Sequence, residues 1–193
     1  ETPVTSWVLK WLAYPLQRPG AKMQTGLLFF GLKQGTGKSL FFDGIMASIY
    51  GEYGKIAGQA QLDGNFNSWQ KDLLFVVFEE ISSQADKYEN FGRVKWMITG
   101  RTTMLNEKFR NETVERNFFN AAVLSNSFQA LPLEEDDRRF LVVHANQNLS
   151  PEVLARVVGP GDKVRAGLTE AFYHLLMSVD ISDFSAHTKA PLT

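Results

Sequence analysis

The chain has 193 residues, 44% of them hydrophobic and 21% charged, with a formal net charge of −1. That length suits one α/β domain with a sizeable core and is too short for two full domains. The near-neutral balance excludes a whole-protein basic field toward nucleic acid, and the lack of cysteine excludes disulfides, thiolate chemistry and Cys-based zinc sites.

No apolar run reaches the roughly 18 residues of a membrane helix, and no charged-then-apolar leader opens the chain. It begins at Glu1 rather than Met and stops at Thr193 in mid-loop, so we expect a domain cut from something longer. His144, His174 and His187 lie far apart without ligand spacing and read as structural.

In chain order, Thr5 or Ser6 can cap a short helix carrying Trp7, Val8, Trp11 and Leu12, which Pro15, Pro19 and Gly20 should break. Gly26 to Phe30 reads as a buried strand. A glycine-rich turn follows, then a helix from Ser39 to Tyr50 with Leu40, Phe41, Ile45, Met46 and Ile49 at helical spacing and Gly51 as C-cap. Leu73 to Phe78 is a continuous apolar run, as in strands covered on both faces of a parallel sheet. A helix is expected over roughly Tyr88 to Ile98, and a hairpin or loop over Thr102 to Arg116. Two further strands run from Phe119 to Leu124 and from Phe140 to Val143. The end is helical: Pro151 sits at the first position behind Ser150, and a last helix runs from about Val164 to Val179. This order predicts an α/β domain with a mostly parallel sheet, divided into a lead-in (1–25), a core (26–147) and a helical end (148–193).

Gly31 to Ser39 joins the first strand to the first long helix. A triphosphate needs convergent donors and a positive end; a glycine turn aims backbone N–H groups at it, and the helix N-terminus adds its dipole. Gln34, Gly35, Thr36, Gly37, Lys38 and Ser39 are therefore expected to bind ATP, with Lys38 on the β- and γ-phosphates and Ser39 on Mg²⁺. The usual pattern has Gly where this chain has Leu32, and Gly31 lies one residue early. Glu79 and Glu80 end the second apolar strand: Glu79 is assigned to magnesium, Glu80 to orienting or deprotonating the attacking water. Ser125-Asn126 ends the next strand, where the Asn126 amide can position water. Arg138 and Arg139, entering the last strand, are candidates for an arginine finger, with Arg138 favoured.

Together these residues resemble a superfamily 3 helicase, most closely the ATPase domain of phage- and plasmid-type primase-helicases related to the poxvirus-type primase-helicase. Trp11 to Gly20 resembles the family's lead-in, Gln34 to Ser39 its P-loop, Val77 to Glu80 its Walker B strand, and Val94 to Thr99 with the polar stretch through Arg116 its own motif. Val123 to Asn126 resembles its sensor strand, Asp137 to Phe140 its arginine motif, and Phe184 to Thr193 its tail. The resemblance implies an AAA+-like core, a ring (usually a hexamer), ATP-driven 3′-to-5′ movement on single-stranded DNA, an upstream primase-polymerase domain in many relatives, and a cytoplasmic location in the host of a phage. It also implies that the segment before Phe119 forms a hairpin pointing into the ring channel. Lys108 and Arg110 would supply local positive charge there and Phe109 a stacking ring, with Lys95 a further candidate DNA contact. The alternative is an ATP-controlled initiator or loader that does not unwind, and a third reading is an inactive nucleotide-binding scaffold. The intact Glu79-Glu80 pair disfavours the scaffold, and the polar hairpin favours the motor over the loader.

Overall fold

The structure is a computed structural model that describes residues 2–79, 81, 87–126 and 137–191, with side chains of 87–90 excepted. Its centre is a five-stranded sheet of β1 (Gly26–Phe30), β2 (Gly54–Ala57), β3 (Phe75–Glu79), β6 (Asn120–Ser125) and β7 (Phe140–His144). The strand order is β2-β3-β6-β1-β7, and every pairing is parallel. A separate antiparallel pair, β4 (Thr102–Leu105) and β5 (Thr113–Arg116), forms the expected hairpin.

Continuous apolar strands need cover on both faces, and alternate residues supply it. Leu27, Phe75, Val77, Ala122, Leu124 and Leu141 point into one core; Leu28, Val76, Phe78, Val123 and Phe140 point into the other. The first core is closed by α1 (Pro3–Gln17), by the helix that follows the glycine turn, and by α7 (Leu168–Ser178). The second is closed by α5 (Lys87–Thr99), through Phe91, Val94 and Ile98, and by α4 (Gln59–Asp63), through Leu62. Each large apolar side chain fully buried in these layers stabilises the fold by about 1.5–3 kcal/mol relative to exposure.

Helix α1 does not stop at Pro15 but runs to Gln17. A proline so near a helix end removes one backbone bond, and here the turn closes behind it through Arg18 N–H to Tyr14 O at 2.8 Å. Buried Trp11 donates to Thr25 Oγ1 at 3.0 Å, tying α1 to the start of β1. The tail returns to the same place: Trp7 Nε1 donates to Lys189 O at 2.9 Å and the Trp7 and Phe184 rings meet edge-on at 5.5 Å.

The helix after the glycine turn is not uniform. It opens as α2 (Lys38–Phe41), widens into a π-helical stretch (Phe42–Ala47) and closes as α3 (Ser48–Tyr50). Strand β2 and helix α4 add to the expected elements. The helical end contains α6 (Pro151–Val157), while α7 starts later than expected, because Gly167 has a left-handed φ of 80° and Val164 is bridged to Val158.

Candidate functional site

In a parallel sheet, ligands collect where strands end and the loops diverge. Three neighbouring strands end together here. The turn after β1, Glu79 at the tip of β3 and Asn126 just beyond β6 line one cavity of about 410 Å³, walled on another side by Leu149 and Leu154.

The turn is held in shape by backbone and glycine. Gly35 and Gly37 have φ of 77° and 84°, which favours glycine at both. Gly31 N–H donates to Ser125 O at 3.1 Å, and Leu149 N–H donates to Gly35 O at 3.2 Å. The departure from the usual spacing has a structural reason: a Cβ on Gly31 would lie 1.8 Å from the Ala145 carbonyl oxygen, so this position, one early, is the one that needs glycine for packing. Leu32, where the pattern has Gly, is 62% exposed and meets no such constraint.

Lys38 is buried at the start of α2. Its ammonium donates to Thr36 Oγ1 at 3.2 Å and Gly31 O at 3.4 Å, and desolvation lowers its pKa from the ordinary lysine value. A cation so placed, with only neutral acceptors among the described residues, is suited to an incoming anion. The next residue, Ser39, donates its hydroxyl to Glu79 Oε1 at 2.5 Å. A hydroxyl and a carboxylate in contact at the mouth of a glycine turn form an all-oxygen donor set, the chemistry that Mg²⁺ prefers. Glu80 lies outside the described residues.

One residue near this pair was missed from the sequence. Asp43, four residues after Ser39, lies beside Glu79; burial, then the Glu79 charge and the bond that a protonated Asp43 donates to it, raise its pKa to about 7. Four residues is one helical turn, so the spacing from Ser39 was the available signal.

Arg138 and Arg139 occupy the opposite end of the sheet. Gly26 pairs with Phe140 at the start of β1, and Gly26 N–H donates to Arg139 O at 2.7 Å, so both arginines are a strand length from the glycine turn. Five strand residues span roughly 17 Å, so neither reaches the cavity of its own chain. Arg138 is exposed; Arg139 stands 3.6 Å from Asp137.

The β4–β5 hairpin carries Lys108, Phe109 and Arg110 at its tip. Phe109 is 93% exposed with a positive φ of 66°, and Lys108 Nζ lies 5.0 Å from its ring centre. Arg110 pairs with Glu107 at 2.9 Å. The base of the tip is strapped to the β2–β3 connection: Asn67 Nδ2 donates to Met104 O and Asn106 N–H donates to Asn67 Oδ1, both at 2.6 Å. Lys95 is not part of this group. Its ammonium is paired with Asp137 at 2.5 Å, against a carboxylate only 2% exposed, and lies over the Phe91 ring at 4.6 Å. The expectation that Lys95 contacts DNA does not fit that placement, because the charge is already committed to an internal pair.

No described helix is long and apolar enough to cross a membrane. Of the histidines, His144 stacks on Phe30 at 4.9 Å and His174 lies 5.8 Å from Tyr173, each on a separate element.

Comparison with known proteins gives a consistent neighbourhood. The DNA primase-polymerase of Nitratiruptor phage NrS-1 is 34% identical over 149 residues, covering 75% of this chain and 20% of that protein, so the chain spans about a fifth of that relative's length. The A-form apo structure of the NrS-1 C-terminal region matches with a TM-score of 0.77 and 28% identity, over 96% of this chain and 44% of that one. The JCV helicase, in a structure with a bound thiazolopyridine compound, matches with a TM-score of 0.52 and 14% identity, over 96% of this chain and 53% of that one. That likeness shows the fold alone. The family of unknown function DUF5906 matches residues 29–139. The chain belongs to the DUF5906 family.

Proposed function

We propose that this chain is the ATP-hydrolysing motor of a replicative DNA helicase, built on a P-loop core of the AAA+ type. The observation that carries the reading is the convergence of Lys38, Ser39, Glu79 and Asn126 on one cavity at the ends of three adjacent parallel strands. In this reading the glycine turn and Lys38 hold the triphosphate, and Ser39 and Glu79 hold Mg²⁺, which neutralises charge on the phosphates when bound. Glu80 orients the attacking water, a role that the Asn126 amide at the cavity wall would share.

The position of Arg138 supports action in trans. Because it cannot reach its own cavity, a finger role requires a neighbouring subunit, as a ring would supply. The similar phage protein is a DNA primase-polymerase, and the solved structure of an NrS-1 C-terminal region resembles this chain; together they support a replication role and an upstream primase-polymerase domain. The hairpin tip gives a chain of net charge −1 a local cationic and aromatic element for single-stranded DNA. The host cytoplasm is the compartment consistent with that role. The test is unwinding of a forked DNA duplex with ATP and Mg²⁺, alongside the oligomer mass. DNA-stimulated ATP turnover without unwinding would favour an initiator or loader.

A further inference from the structure

Asp43 is an acid in a stretch of helix that otherwise carries apolar side chains: Phe41 and Phe42 precede it, Ile45 and Met46 follow. Aspartate is a poor helix former. It lies inside the π-helical stretch Phe42–Ala47, and such widened turns occur disproportionately at functional sites. Its Oδ1 is buried and has no hydrogen-bond partner among the described residues, while its side chain lies against Glu79. Ser39, one turn earlier, touches the same Glu79. Two carboxyl groups and a hydroxyl therefore meet at one point. Among the described residues no ion pair involves Asp43 or Glu79. Asp43 is partly buried, but a buried carboxylate oxygen is expected to be filled by a protein donor; among the described residues this one is left over beside another acid, an arrangement that a hard cation would complete.

We propose that Asp43 is a third oxygen-bearing member of the magnesium site, holding the ion's water shell from the P-loop helix while Ser39 and Glu79 face the ion. A position in the water shell is preferred over direct ligation because Asp43 does not line the cavity and reaches it past Glu79, and Mg²⁺ characteristically keeps several of its waters. Asp43 is thus a positioning residue. The inference rests on the nucleotide–magnesium reading of the cavity.

The experiment is a Mg²⁺ titration of binding of a fluorescent ATP analogue to the unmodified chain, to Asp43→Asn, which keeps shape and removes the charge, and to Asp43→Ala. Circular dichroism reports on folding. The expected result is a Mg²⁺ midpoint raised 10- to 100-fold in both variants, as for the loss of other outer-shell metal partners, with metal-free binding of the analogue retained. A folded variant of either kind with the parental Mg²⁺ midpoint overturns the assignment of Asp43, even if it is less stable. No Mg²⁺-dependent binding in the unmodified chain overturns the reading of the cavity itself, and the role of Asp43 with it.

Discussion

Replacing Gly31 with Ala should be far more damaging than replacing Leu32 with Gly, although the usual phosphate-loop pattern puts its glycine at position 32. The new Cβ of Gly31→Ala would stand 1.8 Å from Ala145 O and 2.8 Å from its carbonyl carbon, both backbone atoms held in place by the Ala145 N–H bond to Phe30 O at 2.6 Å. Something must move, and the movable contacts are that bond and the one from Gly31 N–H to Ser125 O. Overpacking of this kind costs about 1–3 kcal/mol, and each backbone bond lost adds about 0.5–1.5 kcal/mol. The expected destabilisation is therefore about 2–6 kcal/mol, read by urea unfolding as a lower midpoint with the same slope. At about 2–4 °C per kcal/mol for a chain of this size, the melting temperature should fall by roughly 4–24 °C. Leu32→Gly, at an exposed turn, should cost less than about 1 kcal/mol and leave ATP binding unchanged. A Gly31→Ala protein within about 0.5 kcal/mol of the parent would refute the packing argument, and with it the account of why this turn departs from the pattern.

Arg138→Ala should bind ATP yet hydrolyse it poorly; mixing it with Lys38→Ala protein should restore part of the activity, since one mixed interface keeps both groups, and no recovery would count against action in trans. Lys108→Ala should weaken single-stranded DNA binding with a shallower salt dependence and leave basal ATP hydrolysis intact, as fluorescence anisotropy at several salt concentrations would show. Lys22 offers a pH test: burial pushes its ammonium down to about 7, while it donates to the carbonyls of Met97 and Phe119. The unfolded chain holds that proton up to about 10.5, so the folded state carries the cost of a buried charge below pH 7 and sheds it as pH rises. The stability of the parent relative to Lys22→Met should accordingly increase between pH 7 and 10, by up to about 1.4 kcal/mol per pH unit; a pH-independent difference would contradict it.

What could be read from the residues alone depended on whether the physical cause was local. The runs through Phe75–Phe78 and Ala121–Leu124 are apolar at every position because both sheet faces are covered, so they stood out as strands. Strand β2 did not: it has four residues, sits at the sheet edge and leaves Ile56 exposed, so no apolar pattern marks it. The Ser39–Glu79 contact follows from a motif on a helix start and a strand tip. Asp43 was hidden within an apolar helix, and no sequence signal shows that the helix widens there. Lys95 was assigned by its place in a motif, but its partner Asp137 is 42 positions away and only the fold brings them together. Strand order was equally invisible, and it is strand order and direction that put Arg138 out of reach of its own cavity. Glu80, given the water-activating role from sequence, lies outside the described residues.

The central claim is that the cavity at Lys38, Ser39 and Glu79 hydrolyses ATP in the service of movement on DNA. The most direct measurement is steady-state ATP turnover with Mg²⁺, with and without single-stranded DNA, for the unmodified chain, Lys38→Ala and Glu80→Gln. Turnover by the unmodified chain should rise with DNA, Lys38→Ala should lose tight ATP binding, and Glu80→Gln should keep binding without turnover. Turnover in Lys38→Ala at the parental rate, or no ATP binding by the unmodified chain, would contradict it.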